Sequence, residues 1–129
     1  MPSIVDKLKT KEHFYALSGA SEEAVQAAEQ LLDVSFSKEY REYLLAFGLA
    51  SFQGHELTGI TDSKRLSVVD VTKEERLLSK GIPAGWYVLE QANIDGIVIW
   101  QAADGTVYKV KPGYAPSELC SSLSEYIDM

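Results

Sequence analysis

Between Ser21 and Gly48 the chain reads SEEAVQAAEQLLDVSFSKEYREYLLAFG, a pattern that admits little besides two amphipathic helices joined by a very short turn. Ser21 is placed to cap the first helix, with Glu22 and Glu23 at the positive end of its dipole. Ala24, Val25, Ala28, Leu31 and Leu32 recur at a helical period and form its apolar face. Glu22, Gln26, Glu29 and Asp33 line up on another face. Ser37 is a second cap, and Tyr40, Tyr43, Leu44 and Phe47 follow at i, i+3, i+4 and i+7 as the core stripe of the second helix. Lys38, Glu39, Arg41 and Glu42 occupy its other side, and Gly48 stands where a left-handed glycine ends a helix. The chemistry of this stretch is packing rather than catalysis.

The flanking segments are shorter. Ser3 caps a short N-terminal helix with Ile4, Val5 and Leu8 on its apolar side, and Phe14, Tyr15 and Leu17 form a second apolar cluster. Ser18-Gly19-Ala20 breaks the chain before the helix pair. After Gly48, residues 50–53 read as loop. Residues 55–60 read as a short strand, with Gly59 marking a bulge or a close backbone approach. Leu66 to Val71, rich in β-branched residues, reads as a strand. Thr72-Lys73-Glu74-Glu75 reads as a capping box opening a short helix that Gly81 terminates. Three apolar strands follow, over residues 86–89, 97–100 and 106–110. Asn93 and Asp95-Gly96 mark the first turn between them, and Asp104-Gly105 the second. Their near-continuous apolar character predicts a sheet covered on much of both faces. Residues 111–116 are loop, and Leu119, Leu123 and Ile127 predict a closing helix over 118–127. The order predicts a single α+β domain over residues 1–129. It combines a mainly antiparallel sheet with an N-terminal helix pair, one short mid-chain helix and a C-terminal helix.

Charge narrows the function classes. The chain has 129 residues and a net charge of −7, which opposes nucleic-acid binding and suits a basic protein partner as well as plain solubility. Between Lys11 and Lys38 stand five acids and no Lys or Arg, and between Lys80 and Lys109 the acids Glu90, Asp95 and Asp104, again unopposed. After Lys111 come Glu118, Glu125 and Asp128 with no base. No apolar run reaches the roughly 20 residues of a membrane helix. The N-terminal MPSIVDKLKTKEHF is too polar for a signal-peptide core, so a cytoplasmic chain is expected.

The residues that carry chemistry are few. His13 and His55 are isolated, Cys120 is the lone cysteine, and no phosphate-binding glycine motif occurs. Paired acids such as Glu22/Glu23 and Glu74/Glu75 fall in expected first turns of helices, where the dipole accounts for them. No catalytic residue, metal site or cofactor is expected. The helix pair does not read as a DNA-binding helix-turn-helix, because Glu39 and Glu42 oppose Lys38 and Arg41 and the first helix is acidic. Trp86, Tyr87, Trp100 and Tyr108 put an aromatic strip on the sheet, read as core or as partner anchors.

The central AxxAEQLLxVxF and SKEYREYLLAFG segments, together with HELTGI, GIPAGW, DGTVY and the closing SSLSEYI, resemble the SUKH superfamily. That superfamily is named for syringomycin-resistance and cell-wall regulatory proteins of fungi and their bacterial relatives. The likeness runs from Leu17 onward. It departs at Phe36-Ser37, where the family usually has Leu-Pro, and at Gly48-Leu49-Ala50, where it usually has Asn-Gly-Gly. The resemblance implies one α+β domain without enzymatic activity. In bacteria it implies an immunity protein that binds the toxic C-terminal domain of a polymorphic toxin, often a nuclease. The alternative it carries is an adaptor module of a regulatory network. On the immunity reading, an acidic face occludes a basic toxin surface. The residues expected at the contact are Glu22, Glu29 and Asp33 of the first helix, Glu90, Asp95 and Asp104 of the meander, and Tyr87 and Tyr108 as anchors.

Overall fold

A serine begins every helix. In the computed structural model, which describes residues 3–92 and 94–129, five helices are found among the described residues. They are α1 (Ile4–Lys9), α2 (Glu22–Leu32), α3 (Lys38–Ala46), α4 (Val68–Leu78) and α5 (Leu123–Tyr126). Ser3, Ser21, Ser37, Ser67 and Ser122 each turn the hydroxyl back to accept from the amide three residues on, at 3.1–3.3 Å. Each cap satisfies a backbone donor that the first turn leaves without an intrahelical partner. Ser3, Ser21 and Ser37 are the caps expected from the sequence.

The strands form two antiparallel sheets. β1 (Tyr15–Ser18), β2 (Phe47–Phe52) and β3 (His55–Glu56) make the smaller one, in that order. β4 (Tyr87–Gln91), β5 (Val98–Gln101), β6 (Val107–Val110) and β7 (Ser117–Cys120) make the larger, a simple meander. Thr58 joins the two sheets, its amide donating to the Leu89 carbonyl and its hydroxyl to the Val88 carbonyl, both at 2.7 Å. The larger sheet is covered on both faces, as its apolar runs predict. Tyr87, Leu89, Ile99 and Val107 enter the main core with Val25, Leu32, Tyr40, Tyr43 and Leu44 of α2 and α3. Val88, Val98, Trp100 and Val110 pack in a second cluster with Val71 of α4.

Several segments differ from the sequence expectation. Leu66 to Val71 is not a strand. Ser67 caps α4, and Val68, Val71, Thr72 and Glu75 fall at i, i+3, i+4 and i+7 on its buried side, so helical burial outweighs β-branched propensity. The Thr72 capping box therefore lies inside a helix, which ends at Leu78 with Ser79 extended, and Gly81 lies beyond it. Residues 50–52 are strand rather than loop, because α3 hands over at Phe47 to β2 with no left-handed cap, and only Gln53 lies in a turn. The closing helix over 118–127 is replaced by strand β7, which completes the meander beside β6, and the short α5. Leu31 is exposed rather than in the core. The expected turn residue Asn93 lies outside the described residues, whereas Asp95 and Gly96 both adopt positive φ there.

Gly48 and Gly59 serve a close approach. A Cβ on Gly59 would stand 2.0 Å from the Gly48 carbonyl oxygen, and one on Gly48 would stand 2.7 Å from that of Ser18. Glycine here permits the backbone contact that ends with the Ile60 amide donating to Gly48 at 2.7 Å.

Charges on the termini and on α4 have structural uses. Asp128 receives Lys7 and Lys11, both at 2.5 Å, which ties α1 to the C-terminus and holds the Asp128 carboxyl below its usual range. Glu75 is buried on α4, and that burial pushes its carboxyl up, partly offset by the Gln91 amide at 3.5 Å.

Two stability tests follow from this packing. Gly59→Ala is expected to lose about 3 kcal/mol in urea denaturation, at the upper end of overpacking costs. Gly85→Ala, where a Cβ meets nothing within 4 Å, should stay within about 0.5 kcal/mol of wild type. Glu75→Gln is expected to stabilise the fold at neutral pH. An upward-shifted carboxyl costs stability as pH rises from the ordinary glutamate range through its folded value. The gain over wild type should therefore be absent below that range, grow through it and then level off. A gain independent of pH would exclude buried ionisation as its cause.

Candidate partner-binding surface

Glu29 does two structural jobs at the end of α2. Its carboxylate accepts the Phe36 amide at 2.9 Å and Nη1 of Arg41 at 2.5 Å, which pins the α2–α3 turn. The other arm of the same guanidinium pairs with Glu22. Asp33 then closes α2 in the left-handed conformation, φ 55° and ψ 49°, which a short acidic side chain tolerates. Its carboxylate makes no ion pair among the described residues. Sequence reading placed Glu22, Glu29 and Asp33 on one acidic stripe. The structure keeps them on one helix but neutralises two of the three through Arg41.

A cleft of about 460 Å³ opens beside this helix end. Gln26, Glu29, Gln30 and Asp33 line one wall, and Gly85 and Ala103 the other. Arg76 of α4 fixes the two walls relative to each other. Its Nη2 donates to the carbonyls of Leu32 at 3.0 Å, Ala84 at 2.9 Å and Trp86 at 3.4 Å. Asp104 follows Ala103 in the β5–β6 turn. Its carboxylate accepts the Thr106 amide at 2.9 Å, which holds the Asp104 carboxyl below its usual range. The meander turn and the α2 end meet at this cleft, which Glu29 and Ala103 both line. Next to Gly85, Trp86 stacks on Tyr108 at 3.9 Å between ring centroids and 13° between planes. Tyr108 remains partly exposed.

The other expected contact residues lie elsewhere. Tyr87 is fully buried; its hydroxyl accepts the Ser37 amide at 2.9 Å and donates to Gln101 Oε1 at 2.6 Å. Burial pushes its phenol above the ordinary tyrosine range. Glu90 is also buried, receiving the Glu56 amide at 2.8 Å and the Tyr126 hydroxyl at 2.5 Å, with His55 Nδ1 at 3.0 Å. Neither is a surface contact, because strand alternation and a bulge between Val88 and Glu90 turn both inward. Asp95 is exposed but sits in the β4–β5 turn, at the opposite end of β5 from Asp104. Arg41 and Arg76 are the residues sequence reading missed here. Spacing gives no sign of them, since their partners come from other elements.

Of the remaining reactive groups, His13 is exposed, whereas His55 and Cys120 have structural partners. His55 packs on Phe52 and Tyr126 as well as meeting Glu90. Cys120 sits on β7, and burial pushes its thiol up, the opposite of an activated nucleophile. Among the described residues no group of three or more His, Cys, Asp or Glu is placed to hold a metal ion. No helix among them is long and apolar enough to cross a membrane.

Helices packed on a meander, with a polar cleft at the helix-pair turn, define an α+β domain. The family model SUKH_5, described as SMI1-KNR4 cell-wall, matches residues 1–128, and the chain belongs to that family. No curated protein matches it.

Removing the buried hydroxyl in Tyr87→Phe is expected to cost about 1–3 kcal/mol, because the Ser37 amide loses its acceptor. Tyr108→Phe should be nearly neutral. Urea unfolding of both variants separates the buried tyrosine from the surface one.

Proposed function

We propose that the domain is an immunity-type binding protein that occludes the toxic domain of a cognate polymorphic toxin, in the cytoplasm and without catalysis of its own. The partner surface is basic, of the kind nucleases use to hold phosphate, and the protein itself does not take nucleic acid. The observation that carries this reading is the cleft between α2 and the β5–β6 turn, lined by Asp33 and by Ala103, whose chain neighbour is the exposed Asp104, in a domain of net charge −7. These carboxylates compete with phosphate for Lys and Arg of the partner, and the long-range field speeds encounter. The stacked Trp86 and Tyr108 supply flat apolar area beside those charges. Membership of the SUKH family supports the reading, since the immunity role is one that the family resemblance implies.

Affinity capture from the source cell, followed by co-expression with the captured protein, tests it. One basic toxin-like protein, near one-to-one and with its toxicity relieved, is the expected result. Asp33→Lys with Asp104→Lys should then weaken that complex about tenfold or more and flatten the salt dependence of association. Capture of kinases or wall-synthesis proteins instead would favour the adaptor reading, which the family's cell-wall description supports. Unchanged affinity in the double variant would remove this cleft from the interface.

A further inference from the structure

At the other end of β5 lies a second concavity of opposite character. It holds about 440 Å³ between the C-terminal turn of α4, the β4–β5 turn and the loop after β6. Leu78, Val98, Val110 and Tyr114 line it, and Lys80 and Lys111 contribute its cations. Large apolar side chains are exposed on all three framing segments: Leu77 at 85%, Leu78 at 73%, Ile94 at 63% and Tyr114 at 68%. Leu78 and Tyr114 line the groove itself, and exposed apolar side chains in a concavity are the kind of surface a partner covers. The walls are braced. A Cβ on Gly96 would stand 3.0 Å from Pro112, so the two turns touch, and Lys111 Nζ lies 5.4 Å from the Tyr114 ring centre.

We propose that this groove docks an acidic peptide segment of a partner protein, with one bulky apolar side chain seated between Leu78 and Tyr114 and its flanking carboxylates on Lys80 and Lys111. Charge complementarity selects this occupant. The lining cations are exposed, and none of the six salt bridges found among the described residues includes Lys80 or Lys111. The one carboxyl that lines the groove, Glu75, is buried and faces the Gln91 amide at 3.5 Å, whereas both cations reach the surface. Glu74 and Asp95, the acids nearest in sequence, are exposed and do not line it. The apolar side chain supplies the buried anchor and the rim charges supply orientation and specificity. The groove and the α2 cleft share no lining residue.

The probe is a synthetic peptide with a central phenylalanine flanked on both sides by aspartates. Its controls carry alanine for the phenylalanine, or lysines for the aspartates. Amide chemical shifts and fluorescence anisotropy read its binding to the whole chain. The expected result is saturable binding with shifts at Lys80, Gly96, Lys111 and Tyr114, weakened about tenfold by Lys80→Glu with Lys111→Glu and by either control. Leu78→Ser, on an exposed position, should weaken binding with no change in the urea midpoint. The proposal is overturned by no binding, by shifts at the α2 cleft instead, or by equal binding of the lysine peptide. Concentration-dependent self-association through the groove would overturn it in favour of a second copy. Binding of phosphatidylglycerol vesicles, abolished by the same charge reversals while the peptide fails to bind, would overturn it in favour of a membrane surface.

Discussion

Thr58 is the residue on which the architecture hangs. Its amide and hydroxyl join the two sheets, and its carbonyl receives the Tyr43 hydroxyl at 2.9 Å, while its side chain meets the Tyr40 hydroxyl at 2.8 Å. Tyr43 in turn accepts the Ala50 amide at 3.0 Å. One buried network thus holds α3, β2 and β4 in a common frame. Buried hydroxyls without partners cost far more than the bonds contribute when complete, so the network specifies one arrangement of helix and sheets. Burial pushes the phenols of Tyr40 and Tyr43 up, which keeps them neutral donors at any ordinary pH.

That frame also explains where the charges end up. The acids that look like a stripe in sequence are divided by tertiary contacts into braces and free groups. Glu22 and Glu29 share Arg41, Glu90 holds the β3 end of the smaller sheet to α5, and Glu39 accepts from Ser124. Asp33 is left lining a cleft, Asp104 is exposed next to the lining residue Ala103, and Asp95 is carried to the far end of β5. A count of charge therefore overstates the acidic surface and hides its polarity. The two ends of the larger sheet present concavities of different sign and different apolar content.

Much of the α-helical layer was legible in the sequence because its determinants are local. Ser21 and Ser37 cap within three residues, and the tyrosine stripe of α3 repeats at the helical period. The central strands and the Asp104-Gly105 turn were legible for the same reason. The candidate site was legible only in part. Asp33 and Asp104 stayed on the surface and Tyr108 stayed partly exposed, while Tyr87 and Glu90 went inward. Period-two alternation fixes which residues share a face, but not which face is covered, and the bulge after Val88 breaks the alternation.

By itself the sequence determined the α+β class, three helix caps and the turn chemistry of the meander, since neighbours in the chain settle those through hydrogen bonds of a few residues' reach. Only the tertiary structure decided that Val68 to Leu78 is a helix and that Ser117 to Cys120 is a strand. The first needed a sheet face for Val71 to cover, and the second needed the free edge of β6 to pair with. The roles of Gly48 and Gly59 were also tertiary, because a 2.0 Å clash exists only once two distant backbones have met.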